Sequence, residues 1–394
     1  MDNRKIARNY YLATAFYWII IAASLGYGAV YLTSKNFSYT QVGIYIASAN
    51  ILASIIQPLV ASYADKPDSI NIKNIILLFS ISPLILLNIS LIDSVSNSFI
   101  ALAYIITLTF SMAIQPLLTA ITIHLNNAGN SSVEFGVSRG IGSLTYAIIS
   151  LLLGFLIRGF SSDIIVYTSI IAYVVFLIFL FLTPLKKERN IHVEEVINDD
   201  FTRQSMGKFI VKYKYFFLSM LATLLIFTQY NIQNNYWVKT VESIGGNENN
   251  LGTVIAIGAF AEIPILVNYT KIKNKFKLKD LILFSALMFI IKALSLYLIQ
   301  NIYLMYLSQL MQALSFAIFF PSIVYYTSSV IEEKDMVKGQ AFLASSVTLA
   351  TVLGSLVGGI LIDQIGINRT LFLSSFLPML GLLILIYTMR RTDF

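Results

Sequence analysis

The sequence predicts an all-α membrane protein, from its composition, the lengths of its apolar segments and the distribution of its basic residues. Of its 394 residues, 57% are hydrophobic and only 12% are charged, whereas soluble proteins carry about 25% charged residues. The mean hydropathy is +0.75. Because no soluble core could bury this much apolar surface, we expect lipid to be the solvent for most of the chain.

The apolar segments have the length of membrane-spanning helices, which need about 20 residues to cross a bilayer. The first enters its apolar run near Tyr10. That run is too long for a signal peptide and lacks a small-residue cleavage site, so we predict a retained helix. The predicted spans cover roughly residues 9–33, 39–63, 71–93, 97–125, 136–158, 162–184, 209–238, 249–270, 279–299, 302–330, 338–362 and 367–389.

Basic residues are concentrated on one side of these predicted spans. With the N-terminus inside, the outer segments keep only Lys35, Arg158, Lys239 and Arg369. This asymmetry follows the positive-inside rule and predicts a multi-pass protein with both termini in the cytoplasm. The low-cysteine, Ile/Asn/Lys-rich composition is compatible with a bacterial inner membrane. The asymmetry also explains the net charge of +7 without nucleic acid as a partner. We expect the run from Lys271 to Lys279 to anchor this topology rather than to recognise lipid.

The residues that carry most enzyme chemistry are scarce. The chain has no cysteine, and its two histidines are His124 and His192. Disulfides and thiolate metal sites are therefore excluded, and no nucleophile–base pair or metal-ligand set is apparent. We expect no enzyme activity, no metal and no cofactor.

One polar stretch divides the chain into two halves of nearly equal length. It runs from Leu185 to Gly207 and contains Lys-Lys-Glu-Arg-Asn followed by four acidic residues. We predict an N-terminal six-helix bundle over residues 1–184, a cytoplasmic linker over 185–208 and a C-terminal six-helix bundle over 209–394.

The segment from Glu134 to Tyr146 opens the fifth predicted span and places Arg139 near its start. An arginine costs about 2.5–3.5 kcal/mol at mid-membrane and less near the interface, where it can snorkel. Arg139 is therefore either a helix-end anchor or a ligand contact in a polar cavity. Arg139, Ser143 and Tyr146 are four and three residues apart and share one helix face. A guanidinium beside an aromatic ring suits a sugar or nucleoside, although Tyr146 could also serve packing alone.

Several motifs together resemble the major facilitator superfamily and, within it, the lactose-permease and oligosaccharide/nucleoside symporter branch. They are Tyr39-Thr-Gln-Val-Gly43, Gln57-Pro-Leu, Ala-Asp-Lys66 and the segment from Glu134 to Tyr146. The resemblance implies two pseudo-symmetric six-helix bundles with the substrate between them near the midplane. It also implies that Arg139, Ser143 and Tyr146 contact the substrate. Asp65 and Lys66 would form a gate at the first inner loop, or else a solvated charge pair.

The chain departs from this branch where the branch carries charged residues. The uncharged residues at those positions are Thr119, Asn231, Asn234, Gln309, Gln312 and Ser315. The lactose-permease substrate and its proton coupling are therefore not carried over. We predict that the threonine, asparagines and glutamines bind solute hydroxyls or a base edge. The two asparagines could instead cap the outer end of the seventh helix.

Glu262 is the one acidic residue that we place deep in a membrane span. A carboxyl group there is costly to ionise, which suits a residue that binds and releases protons. Lys292 in the ninth span matches a family arginine involved in proton handling. We predict that Glu262 and Lys292 form a pair coupled to transport, with a purely structural buried pair as the alternative.

These observations predict a secondary active transporter that moves a sugar, oligosaccharide or nucleoside-like solute by alternating access, as a proton symporter. Its partners would be the solute, protons and the lipid bilayer, and the protein would be a monomer. The alternative is a proton-coupled exporter of drugs or amphipathic metabolites. The fifth span lacks the Gly-x-x-x-Gly-Pro motif of such exporters, which makes this alternative less favoured.

Overall fold

A computed structural model describes residues 3–64, 70–92, 94–127, 133, 135–184, 206–332 and 335–392. Within these residues the regular structure is entirely helical. Eleven helices are long and apolar enough to span a membrane, and a bent pair at the N-terminus supplies a twelfth. This agrees with the twelve predicted spans.

Spans 1 to 6 occupy the first half of the chain. Span 1 comprises Asn3–Ile21, a π-helical turn Ala22–Gly26 and Gly28–Ser34; the others are Tyr39–Ala64, Ile72–Ser90, Asn97–Asn127, Phe135–Gly159 and Ile164–Leu182.

Spans 7 to 12 occupy the second half. Span 7 is Lys214–Asn235, flanked by the short helices Met206–Lys212 and Trp237–Ser243; span 8 is Glu248–Lys275, span 9 Leu278–Leu298, span 10 Ile302–Gln309 with Met311–Leu314 and Phe316–Val330, span 11 Met336–Ile365, and span 12 Ile367–Ser374 with Phe376–Met389.

Four spans are interrupted where continuous helices were predicted; in span 12 the interruption is the single residue Ser375. Span 1 bends by 48° where the π-helical turn meets Gly28. Span 7 is interrupted at Tyr213 and Tyr236. Span 10 is interrupted at Leu310 and at Ser315, whose ψ of −88° is not helical. Apolar periodicity did not reveal these breaks, because each broken span still has the length and mean hydropathy of a membrane-spanning segment. Breaks of this kind are tolerated where side chains satisfy the freed backbone groups.

Each half packs as its own group of six spans. In the first half, span 1 packs on spans 5 and 6, and span 4 packs on spans 2 and 3. In the second half, span 7 packs on spans 11 and 12, and span 9 packs on spans 10 and 12. Large apolar side chains such as Phe155 and Val267, which are 68% and 73% exposed, project outwards as expected of a lipid-facing surface. The domain boundaries stay a prediction, because most of the linker lies outside the described residues.

The two halves meet mainly where span 2 packs on span 11 and span 5 packs on span 8. We call the side of the membrane with Asn3 and Met389 the terminal side and the opposite side the distal side. At the distal ends of these spans, Gly43 lies against the backbone of Ser355 and Gly154 lies against Gly252. Glycines allow the helix backbones to approach closely. In the described part of the chain, these backbone contacts close the distal side.

Candidate functional site

Glu262 lies at the middle of span 8, as predicted, and is partly buried. Its Oε1 accepts a hydrogen bond of 2.7 Å from Nε2 of Gln312. Gln312 sits on the four-residue helix Met311–Leu314, between the two breaks of span 10. The breaks therefore set the position at which this amide meets the carboxylate.

Gln312 joins three polar groups that come from three different spans. Besides Glu262, its Nε2 donates to the hydroxyl of Tyr230 at 2.9 Å. Its Oε1 accepts a hydrogen bond from Nζ of Lys292. Because a lysine ammonium only donates and a carboxylate only accepts, these partners determine the orientation of the amide.

Lys292 is 1% exposed and has no carboxylate within ion-pair distance among the described residues. The predicted pair of Glu262 and Lys292 is thus bridged by the Gln312 amide instead of forming a direct ion pair. The two charges still attract one another through the site. A buried charge needs this kind of compensation, because its desolvation is costly.

Both tryptophans of the chain contact a cation of this site. The Arg139 guanidinium lies over the ring of Trp18, 4.7 Å from its centroid. The Lys292 ammonium lies 5.8 Å from the ring centroid of Trp237. Such contacts contribute about 0.5–2 kcal/mol each, more when the cation is desolvated.

The first half contributes Arg139, Trp18 and Tyr146 as one group. The rings of Trp18 and Tyr146 meet edge to face, with centroids 6.3 Å apart and planes at 83°. Two glycines make room for them: Gly142 lies against the indole, and a Cβ at Gly26 would come within 2.8 Å of the Tyr146 hydroxyl. Arg139 as a whole residue is nevertheless exposed.

The site is completed where the two halves meet. Opposite charges lie on both sides of this meeting point, because Glu262 is on span 8, Arg139 is on span 5, and these two spans pack against each other. Glu262 is an ionisable group and Arg139 a hydrogen-bond donor, so the arrangement has the chemistry to bind a proton and hydroxyl groups.

An aromatic wall supports the second half of the site. The rings of Tyr230 and Phe316 stack with centroids 5.0 Å apart and an interplanar angle of 11°. Stacking holds the Tyr230 hydroxyl towards Gln312. Phe316 directly follows the break at Ser315, so the break also places this ring.

Three further residues that the sequence predicts as substrate contacts lie beside residues of the site. Asn234 accepts a hydrogen bond of 3.1 Å from the indole of Trp237, which connects it to Lys292. Gln309 is buried, and its amide lies against Gly258 of span 8. Ser143 is partly buried on the same helix as Arg139 and Tyr146.

Two residues that the sequence predicts as substrate contacts use their side chains in hydrogen bonds within their own helices. Thr119 donates to the carbonyl of Gln115 at 3.2 Å, and Asn231 donates to the carbonyl of Phe227 at 2.7 Å. Asp65 and Lys66, the predicted gate, lie outside the described residues. Their role stays a prediction.

Sequence reasoning missed four residues of this site: Trp18, Tyr230, Trp237 and Phe316. The two tryptophans could have been singled out from the sequence, because they are the only two in a chain with 27 phenylalanines and 23 tyrosines. Tyr230 and Phe316 could not, since aromatic residues are frequent throughout the spans.

Two groups of six membrane spans, with an ionisable cluster where they face each other, define a membrane transporter rather than an enzyme. The sequence profile of the MFS_1 like family matches residues 9–373, and the chain therefore belongs to this family of the major facilitator superfamily. The predicted superfamily, the all-helical fold and the transporter class are confirmed.

The fold is also that of several solved transporters. A mutant of the nucleoside transporter NupG has a TM-score of 0.83 at 14% identity, covering 97% of this chain and 99% of that one. A D-xylose-proton symporter has a TM-score of 0.75 at 15% identity, covering 98% and 96%. A bacterial homologue of the human lysosomal transporter Spinster has a TM-score of 0.68 at 10% identity, covering 98% and 97%. No curated protein matches the sequence significantly.

Proposed function

We propose that this transporter is a proton symporter for a sugar, oligosaccharide or nucleoside-like solute and works by alternating access. The observation that carries the proposal is the Glu262 carboxylate, which is hydrogen-bonded to Gln312 and lies on the span that packs against the Arg139 span of the other half. The nucleoside transporter and the D-xylose-proton symporter with the same fold support this solute class.

Glu262 is the group that we propose to carry the coupled proton. While ionised, its carboxylate attracts both Arg139 and Lys292. Protonation removes this attraction and leaves the Arg139 guanidinium free to donate to solute hydroxyls. Because proton and solute then favour each other's binding, the proton gradient can drive uptake of the solute.

The solute would bind between the halves. Arg139 offers a fork of donors, and Tyr146 and Trp18 offer ring surfaces beside it. The predicted polar contacts that complete the proposal are Ser143, Thr119, Asn231, Asn234, Gln309 and Gln312.

We further propose that the terminal side faces the cytoplasm, as the distribution of basic residues indicates, and that the membrane is a bacterial inner membrane, with which the composition is compatible. With the distal side closed, the site would then be accessible from the cytoplasm. We propose bundles over residues 1–184 and 209–394, a linker over 185–208, a gate at Asp65 and Lys66, and a monomer as the working unit.

The experiment measures external pH in lightly buffered suspensions of cells that express the protein, while a panel of sugars and nucleosides is added. We expect one solute class to cause alkalinisation of the medium. Glu262→Gln should abolish alkalinisation and uphill accumulation, because its side chain cannot ionise. It should retain exchange of labelled solute, since its amide can still hydrogen-bond Gln312.

Glu242→Gln is the matched control, because Glu242 is an exposed residue whose ion pair with Lys239 lies on the distal surface. It should behave like the wild type. Uphill accumulation that survives in Glu262→Gln would contradict the role of Glu262. Absence of any solute-dependent signal from well-expressed protein, together with protection of cells against toxic compounds, would instead establish the exporter alternative.

A further inference from the structure

A small cavity lies inside the first half, away from the site between the halves. Its volume is about 20 Å³, and it is surrounded by spans 1, 3, 4 and 6. All of its polar lining residues are buried. They are Ser24, Tyr31, Ser90, Tyr104, Thr107 and Ser169.

Two hydroxyls of this cavity, those of Tyr104 and Thr107, lack a hydrogen-bond partner among the described residues, and the Tyr31 hydroxyl beside them is within hydrogen-bonding reach of Ser90 alone among the lining residues. Tyr104, Thr107 and Tyr31 are only 5%, 2% and 4% exposed, respectively, so bulk solvent does not reach them. Leaving a buried hydroxyl without a partner is unfavourable. Two such hydroxyls facing one cavity therefore indicate a bound ligand with hydrogen-bonding capacity.

The three serines of the cavity supply the complementary groups. Ser24 donates to the carbonyl of Ile20 at 2.6 Å, Ser90 to that of Leu87 and Ser169 to that of Ile165. Each hydroxyl hydrogen is thereby used within its own helix, while the oxygen can still accept. The cavity thus offers both donors and acceptors.

Size and charge decide which ligand fits. A volume of about 20 Å³ exceeds the roughly 10–15 Å³ that one water molecule needs and leaves no room for a solute. No charged side chain lines the cavity, so an ion would lack compensation. We propose that the cavity binds one ordered water molecule, which bridges Tyr104 and Thr107 of span 4 to span 1.

The position of this water gives it a structural task. On span 1 the cavity is lined by Ser24 of the π-helical turn and by Gly28, the first residue after the bend. Gly28 also packs against the hydroxyl of Tyr104. Waters commonly satisfy polar groups at broken membrane helices. The water would link span 4 to span 1 beside the bend.

Radiolytic hydroxyl labelling of the purified wild-type protein in ¹⁸O-water tests this directly, because radicals formed from a bound water oxidise adjacent side chains. Tyr17 is the internal control: it is 1% exposed, and its hydroxyl donates to the Ser111 carbonyl at 3.0 Å. We expect Tyr104 to be oxidised at least several times faster than Tyr17. Equal, low reactivity of the two tyrosines would overturn the proposal.

Thr107→Val provides a second test, in which the direction of the change in Tm distinguishes a bound water from a dry cavity. Valine keeps the shape but removes the hydroxyl. If water is bound, the substitution deprives it of a partner, and Tm should fall by about 2 °C. If the cavity is dry, the substitution removes an unpaired hydroxyl, and Tm should stay unchanged or rise.

Thr109→Val is the matched control on the same span. Thr109 is buried too, but its hydroxyl donates to the Ala49 carbonyl at 3.4 Å and does not line the cavity. Its change in Tm measures the general cost of replacing a buried threonine on span 4. Thr109→Val should lower Tm because it loses its hydrogen bond to the Ala49 carbonyl, and the proposal requires Thr107→Val to lower Tm as well; a Thr107→Val protein with an unchanged or higher Tm would contradict it.

Discussion

The carboxylate of Asp363, near the distal end of span 11, accepts a hydrogen bond of 2.7 Å from the backbone N–H of Thr40 at the start of span 2. It also accepts one of 3.2 Å from the N–H of Tyr39. In the same turn, Ser38 and Gln41 bond each other's N–H through their side chains. The first N–H groups of span 2 are thus satisfied partly by its own turn and partly by the other half.

This contact predicts that Asp363→Asn weakens the distal closure. A carboxylate at a helix N-terminus contributes about 0.3–1 kcal/mol, and the neutral amide loses most of it. The equilibrium should therefore shift up to about fivefold towards opening. The chain has no native cysteine, so spin labels at Ser161→Cys and Ser243→Cys can report the distance across the distal side.

Asp163→Asn serves as the control for this measurement, because Asp163 pairs with Lys35 inside the first half at 2.8 Å. It should leave the distance distribution unchanged. A distribution for Asp363→Asn that matches the wild type would show that the contact does not contribute to closure.

The close contact of Gly154 with span 8, at the other meeting point of the halves, predicts that a larger side chain there weakens the distal closure more than Asp363→Asn does. A Cβ at this position would lie 3.1 Å from the Cα of Gly252, with further backbone nearby. Gly154→Val should disfavour the closed distal side by about 1–3 kcal/mol, which is 5- to 150-fold. The same pair of labels should report a longer distance.

Gly159→Val is the control on the same span, because a Cβ at Gly159 meets nothing within 4 Å. It should preserve the wild-type distances. If both valines act alike, the effect reflects glycine replacement in general rather than the contact of Gly154 with span 8.

The hydrogen bond between Gln312 and Lys292 predicts that substitutions of these two residues have non-additive effects on the free energy of unfolding. Gln312→Leu removes the acceptor of the buried Lys292 ammonium, which should lower the free energy of unfolding by about 3 kcal/mol. Adding Lys292→Met to this variant should restore much of the loss, because the unpaired charge is then gone. Thermal unfolding of the wild type, both single variants and the double variant measures the coupling. Additive effects would contradict the bridge.

Arg139 predicts that charge alone is insufficient in the solute site. Arg139→Lys keeps the positive charge but loses the planar fork that lies over the Trp18 ring. If the proposed function holds, the Kd for the solute should rise about tenfold. Isothermal titration of the purified protein measures it, with Arg158→Lys at the far end of the same helix as control. An unchanged Kd would make Arg139 a helix-end anchor instead.

Lys212 predicts a pH dependence on the terminal side of span 7. Hydrogen bonds with Glu332, at 2.7 Å, and with Tyr213 and Asp335 raise the pKa of its ammonium above the ordinary value. Its contribution to stability is therefore full below about pH 10.4, the ordinary lysine pKa, and is lost as pH rises through the raised pKa.

The difference in Tm between the wild type and Lys212→Met should accordingly be constant from about pH 7 to about pH 10 and shrink above that range. Lys214→Met is the control, since no carboxylate pairs with Lys214 among the described residues. A difference that disappears already near about pH 8 would contradict the raised pKa.

The sequence by itself determined the fold class and the twelve spans, and it singled out the charged residues Arg139, Glu262 and Lys292, whose roles stay predictions. The physical reason is that a membrane-spanning helix needs a long apolar run and that a charge within such a run is costly. Both features can be read directly from the order of residues along the chain. Superfamily membership followed from short motifs as well.

Only the tertiary structure decided how these charges are connected. Helical periodicity assigns residues to a face but does not say which faces of distant helices meet. The Gln312 bridge depends on breaks in span 10 that leave hydropathy unchanged, and Trp18 and Trp237 reach their cations from other spans. The closure by Asp363 likewise joins residues more than 300 positions apart. Such contacts depend on packing in three dimensions, which the pattern along the chain does not contain.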